Sequence, residues 1–332
     1  MDTFQKKTLI TKRSLKYTYY VSPAGEATKQ HPALFFIHGF PDSARLWTDM
    51  IAKLGTLPNK IIAPDCLGYG GTDKPTDTKL YAYKGHAADF AEILAAENVI
   101  SSVVIGHDWG SALAQRVYLH HRELFSGMIL LNVAYLVPPA RPLDLAKMND
   151  LTEKMLGYRQ YSYWELLTAP DGAEILNNNL ERMWQVLHGD VEDWVKKMFC
   201  TKDAMREFLL GDKEVPLLPY AREPRWKDEF MRQFKTSGFE APLQYYRANV
   251  AEVNRESDLT LPQDRLVIDV PLLYVICTRD AVCTREYMNP AKEQGLVPKL
   301  KEVVIDSAHW CAMEKPDEVA AHISDYLKEN FS

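Results

Sequence analysis

The chain has 332 residues, of which 46% are hydrophobic and 25% charged, and a formal net charge of −6. This length sets a prior of about two domains, or one large domain carrying an insertion, and the composition is ordinary for a globular protein. The acidic balance leaves no surplus of basic residues to neutralise phosphates, so no nucleic-acid partner is expected, and no run of about 18 apolar residues offers a membrane span.

Residues 1–7 are polar and lack the apolar core of a secretory signal, and the last residues, 329–332, form no peroxisomal or retention tag. A cytoplasmic location is expected from that absence of signals. Residues 16–21 read as a strand. Residues 33–37 (Ala-Leu-Phe-Phe-Ile) form a short continuous apolar run that stops at His38-Gly39, as for a central parallel strand covered on both faces. A third strand over 60–65 leads into the glycine-rich loop Leu67-Gly68-Tyr69-Gly70-Gly71. Residues 87–96 read as a helix with Phe90, Ile93 and Leu94 on one face. A strand then ends at Gly106, a helix runs to about His121, and a further strand covers 128–132. Alternation of this kind predicts an α/β fold, a doubly wound and mostly parallel sheet with right-handed crossovers.

The rhythm breaks at the proline-rich run 137–142. From there to about Asp264 the chain is rich in Trp, Tyr, Met and charged residues and reads as helical. Strands return at 270–276 and 300–305, and a closing helix covers 318–330. The expected division is a first core part (1–136), a helical cap (137–264) and a second core part (265–332). Such a cap would lie over the carboxyl ends of the strands, where these sheets place their sites. The five cysteines (66, 200, 277, 283 and 311) show no C-x-x-C or Cys/His ligand spacing. They are expected to be buried thiols in a reducing compartment, and no metal site is expected.

The segment Gly106-His107-Asp108-Trp109-Gly110-Ser111 has the form small–x–nucleophile–x–small at a strand-to-helix turn. The usual serine is replaced by Asp108. A carboxylate cannot act as an esterase serine, but it can attack an electrophilic sp³ carbon and form an ester. Asp280 follows the 272–276 strand and His309 follows the 303–305 strand. Nucleophile, acid and His is the chain order of an α/β-hydrolase triad, each member sitting just beyond a strand. His38 and His107 flank this site and are expected to be structural.

On these residues the chain resembles the α/β-hydrolase superfamily and, within it, the soluble-type epoxide hydrolases. The resemblance covers nearly the whole length. It rests on His38-Gly39-Phe40-Pro41, on Gly106 to Gly110, on the Asp280 loop and on Ala308-His309-Trp310. The loop after Asp65 is similar to the family's glycine loop, and Ser111 stands where many relatives have a second glycine. The resemblance implies an α/β-hydrolase fold with an inserted lid, and two cap tyrosines that donate to the epoxide oxygen. The family pattern of an aromatic residue followed by Tyr-Arg picks out Tyr246. Tyr163, seven residues before Pro170, fits the first cap tyrosine, with Tyr158 and Tyr161 as rivals.

The expected reaction opens an epoxide to a vicinal diol without a cofactor or metal. Asp108 attacks the ring carbon while tyrosines donate to the oxygen. His309, oriented by Asp280, then activates water to hydrolyse the ester. The backbone N–H groups of Phe40 and Trp109 are the expected oxyanion hole. The expected partners are a small-molecule epoxide and water, with the protein a monomer or homodimer. Two rival readings remain. One is a haloalkane or haloacid dehalogenase using the same Asp, with Trp109 and a second donor cradling halide. The other is a non-catalytic ligand-binding hydrolase fold.

Overall fold

The computed structural model describes residues 1–331. Ser332, the end of the expected second core part, lies outside the described residues. One eight-stranded sheet has the order β1-β2-β4-β3-β5-β6-β7-β8. The strands are β1 (Gln5–Ile10), β2 (Lys16–Val21), β3 (Ala33–Ile37), β4 (Ile61–Pro64), β5 (Ser102–His107), β6 (Phe125–Leu131), β7 (Leu272–Cys277) and β8 (Leu300–Ile305). β2 pairs antiparallel with β1 and β4, and the other pairings are parallel. Every residue of β3, β5 and β7 is buried. That is why their sequences are continuous apolar runs rather than alternating ones. β1 was not expected from the sequence. It is an edge strand whose residues are exposed or half-buried, so packing imposes little apolar pattern on it.

The helices α1 (Thr48–Leu54), α2 (Tyr83–Ala96) and α3 (Trp109–His120) follow β3, β4 and β5. In α2, Phe90, Ile93 and Leu94 are fully buried, and Phe90 meets Phe35 of β3 edge-on at 5.5 Å. Between β6 and β7 the chain is helical: α4 (Leu145–Leu156), α5 (Ser162–Leu167), α6 (Gly172–Asn178), α7 (Leu180–His188), α8 (Trp194–Phe199), α9 (Ala204–Leu210), α10 (Pro224–Ser237), α11 (Gln244–Val250) and α12 (Val253–Asp258). The second core segment adds α13 (Asn289–Glu293), α14 (Cys311–Glu314) and α15 (Pro316–Phe331). The five cysteines are unbridged and buried. Among the described residues, no helix is long and apolar enough to cross a membrane.

A buried ion pair ties α12 to α3. Arg116 Nε and Nη2 donate to the two oxygens of Asp258 at 2.8 Å each, and Nη1 donates to the Leu136 carbonyl at 2.8 Å. Both side chains are almost wholly withdrawn from solvent. Removing one member leaves the other charged and unpaired in the interior. Asp258→Ala is therefore expected to cost about 3–5 kcal/mol in urea unfolding, far more than an exposed pair would. A loss below about 1 kcal/mol would show that the guanidinium finds water instead.

Candidate active site

The carboxyl ends of β3, β5, β6, β7 and β8 lie side by side, because these strands run parallel and in register. Asp108 sits alone between β5 and α3, with φ 54° and ψ −125°. An L-residue rarely adopts that conformation, and it persists only where the surroundings enforce it. The enforcement is steric. A Cβ on Gly110 would fall 2.0 Å from the Ile37 carbonyl oxygen, and one on Gly39 would fall 2.4 Å from Asp108 Oδ1. Ser111 is accommodated, since its buried hydroxyl donates to the carbonyls of Gly106 (2.7 Å) and Leu131 (3.0 Å).

Asp108 Oδ1 accepts the Phe40 N–H at 2.7 Å, and Phe40-Pro41 is a cis peptide bond. Trp109 is the first residue of α3, so its N–H belongs to the opening turn whose amides lack intrahelical acceptors. Asp108 Oδ2 lies 3.5 Å from His309 Nε2. On the far side of the ring, His309 Nδ1 donates to Asp280 Oδ2 at 2.6 Å. Asn132, just past β6, donates its side-chain N–H to the same oxygen at 2.7 Å. Asp280 Oδ1 accepts the N–H groups of Val282 (3.0 Å) and Cys283 (3.1 Å).

These contacts set the protonation states. Burial raises the Asp280 carboxyl, but the His309 charge and the hydrogen bonds from His309, Asn132 and the Cys283 amide outweigh it and hold it down at about 2. Burial also opposes charge on His309. The Asp280 charge and the hydrogen bonds with Asp108 and Asp280 win, lifting the imidazole well above its ordinary value. His38 and His107 behave oppositely, each pushed down to about 4, chiefly by burial. His38 Nε2 accepts the Cys66 N–H at 2.9 Å and its Nδ1 faces the Gly39 carbonyl at 2.9 Å. His107 Nε2 meets the His309 carbonyl oxygen at 2.8 Å, pinning the loop that carries the imidazole.

Tyr163 at the start of α5 and Tyr246 in α11 line one cavity with Phe40, Asp108 and His309. Their rings meet edge-on at 5.9 Å. Burial first, and then nearby charge including Asp108, pushes both phenols far above their ordinary range, so both stay protonated. The rival hydroxyls already have acceptors: Tyr158 donates to the Ala281 carbonyl at 3.1 Å, and Tyr161, which lines an adjoining cavity with Asp108, donates to the Tyr287 hydroxyl. Tyr245, one position from Tyr246, points away and donates to the Leu67 carbonyl at 2.9 Å. Neighbours on a helix differ by about 100° in direction, which separates the two roles.

An adjoining cavity of about 80 Å³ also contains Asp108 and Tyr163, and is walled by Trp109, Trp164, Leu136 and Tyr287. A larger cleft of about 680 Å³ lies elsewhere, lined by polar residues such as Lys6, Arg45 and Arg232, and holds none of these groups.

The sequence pattern of the alpha/beta hydrolase fold family matches residues 32–316. The chain belongs to that family. It is 26% identical to epoxide hydrolase 3 of Siraitia grosvenorii, across 90% of this chain and 92% of the relative. It is 28% identical to epoxide hydrolase A of Mycobacterium tuberculosis, across 89% and 90%. The solved structure of epoxide hydrolase A from Mycobacterium thermoresistibile is similar with a TM-score of 0.78 at 22% identity, covering 98% of each chain. That likeness establishes the α/β-hydrolase fold.

Within this α/β-hydrolase site, three features were not legible in the sequence. Asn132, held at φ 67°, supports Asp280 from a neighbouring strand end. Trp310 donates its indole N–H to Asp42 at 3.2 Å beside His309, and burial pushes the Asp42 carboxyl up to about 7 against that bond. Cys283, Asp280 and His309 bring one potential metal-ligand atom each within 4.8 Å of one another. No local spacing signals that cluster, because residues 283 and 309 meet only through the pairing of β7 with β8.

Proposed function

We propose that this protein is an epoxide hydrolase, opening a small apolar epoxide to a vicinal diol through an ester on Asp108. The observation that carries the reading is a carboxylate at a nucleophile elbow, with a triad on one side and two buried phenols on the other. The named relatives are epoxide hydrolases along most of the chain, which supports it. In this reading residues 137–264 are the cap that carries both tyrosines over the core.

The oxygen of Asp108 that the Phe40 N–H does not hold, Oδ2, attacks an epoxide carbon, and the ring C–O bond breaks. Tyr163 and Tyr246, protonated at any working pH, donate to the departing oxygen. Oδ1, already on the Phe40 N–H, becomes the ester carbonyl oxygen, so the donor that will hold the oxyanion is in place beforehand. Esterification removes one of the two negative charges that keep His309 protonated. The imidazole then yields its proton, which restores the phenol that gave one up in the first step, and can take another from water, which attacks the ester carbon as the acyl C–O bond breaks. The diol leaves and Asp108 is regenerated.

One observation favours a second reading. The indole N–H groups of Trp109 and Trp164 are buried beside the cavity that holds Asp108, turned toward the Tyr246 and Tyr163 hydroxyls, a donor pair suited to a leaving halide. Halide departure needs no acid, so the two phenols would then be idle. A panel of small epoxides and haloalkanes separates the readings by diol against halide release, and diol formation is expected. In the same assay, Tyr163→Phe and Tyr246→Phe should each slow alkylation by roughly tenfold, and the double change by roughly 10²–10⁴-fold. Halide release with both phenylalanine variants silent would reverse the assignment.

A further inference from the structure

The reaction makes no use of the Cys283 thiol, yet this thiol is buried against the His309 imidazole. Asp280, Cys283 and His309 are all buried, and an oxygen, a sulfur and a ring nitrogen converge within 4.8 Å. A tetrahedral zinc ion holds sulfur at about 2.3 Å and nitrogen or oxygen at about 2.0–2.2 Å, so its ligand atoms lie roughly 3–4 Å apart. Small side-chain rotations that draw the sulfur in and part the 2.6 Å Asp280–His309 contact would bring the cluster to that spacing. The donor set itself, one thiolate, one imidazole and one carboxylate, is the kind a borderline-soft divalent cation prefers. The other four cysteines are not part of this cluster.

We infer that Asp280, Cys283 and His309 form a latent inhibitory site for Zn²⁺ and similar soft divalent cations. Binding exchanges one divalent cation for two protons. The thiol gives up one, and the His309 nitrogen that now faces Asp280 gives up the other. Water completes the fourth position. With its ring nitrogen coordinated and Asp280 drawn to the ion, His309 loses the orientation it needs as a base. The water step fails before the alkylation step, which uses Asp108 and the tyrosines. Inhibition therefore rests on the reading of the reaction given above, but metal binding does not.

Titration of the purified protein with Cd²⁺, followed by the thiolate-to-cadmium absorption in the near ultraviolet, tests the site directly. One saturable equivalent is expected. Cys283→Ser, which keeps the amide bonded to Asp280, should weaken it by at least about tenfold. Cys277→Ala and Cys311→Ala should leave it unchanged. In parallel, Zn²⁺ should suppress steady-state turnover of the wild type, reversibly with chelator, while Cys283→Ser resists when each is scaled to its own untreated rate. Absence of the band in the wild type, its survival in Cys283→Ser, or its loss in Cys277→Ala or Cys311→Ala would overturn the assignment. A Cd²⁺ band without loss of turnover would keep the site and sink the reading of His309 as the base.

Discussion

His309→Gln is expected to open about one equivalent of epoxide and then stop, with the Asp108 ester visible as an adduct in the intact-protein mass. The first step needs a carboxylate and two phenols, none of which the substitution removes. The second needs a base, and general-base assistance is worth roughly 10²–10⁴-fold. Steady-state turnover should fall by at least that factor while the alkylation burst survives. Glutamine keeps a polar atom near Asp280 and cannot take the proton. The pH profile adds a readout that a merely structural role would not move. In the wild-type ester, hydrolysis should rise with pH as His309 deprotonates and then level off, and that limb should vanish in the variant. Stability should respond oppositely. The folded imidazole lies above its unfolded value of about 6.5, so its pairing stabilises the fold below that pH and is lost as pH climbs through the folded value. For Asp280, held at about 2, the contribution is present above an unfolded value of about 3.9 and is lost as pH falls toward about 2. A variant that turns over repeatedly near the wild-type rate would remove His309 from the mechanism.

The sheet was readable because its central strands are buried on both faces. The runs at 33–37 and 102–107 have no polar alternation to obscure them. Asp108 stood out because it follows such a run directly, and Asp280 and His309 because each lies a few residues past a strand that runs parallel to it, the buried β7 and the more exposed β8. β1 gave no comparable signal, since an exposed edge strand is free to carry lysines. Tyr246 was marked by its resemblance to a family pattern, whereas three tyrosines within six residues left the first cap position open. The structure separates those three by what their hydroxyls already do. Tyr158 and Tyr161 already donate to the Ala281 carbonyl and the Tyr287 hydroxyl, whereas Tyr163 lines the cavity that also holds Tyr246 and His309. Asn132 and Cys283 lay beyond sequence reasoning for a different reason. Their contacts depend on loop conformations after β6 and β7, and nothing in the local residue pattern encodes where those loops meet.

Asp108 is expected to supply an oxygen atom to the product. A single turnover in ¹⁸O-water should give unlabelled diol, because the oxygen that attacks the epoxide comes from the carboxylate. Water enters later, at the ester carbon, and leaves its label on Asp108. Enzyme cycled beforehand in labelled water should then pass that label to diol formed in its next turnover. The geometry makes the exchange asymmetric at first. Oδ1 is held by the Phe40 N–H at 2.7 Å and Oδ2 has only the longer, 3.5 Å contact with His309, so the attacking oxygen should be Oδ2 until the carboxylate rotates. Asp108→Ala removes the nucleophile and should lower turnover by at least about four orders of magnitude, since the tyrosines supply no nucleophile and His309 acts on an ester that no longer forms. The backbone cost of that change is separable, because alanine at φ 54° is strained and should show in unfolding measurements whether or not chemistry is affected. Asp108→Asn keeps the shape, and its amide cannot attack, so it should be equally inactive while folding normally. Full solvent label in the diol of the first turnover would mean that water attacks the epoxide directly, with Asp108 reduced to a base.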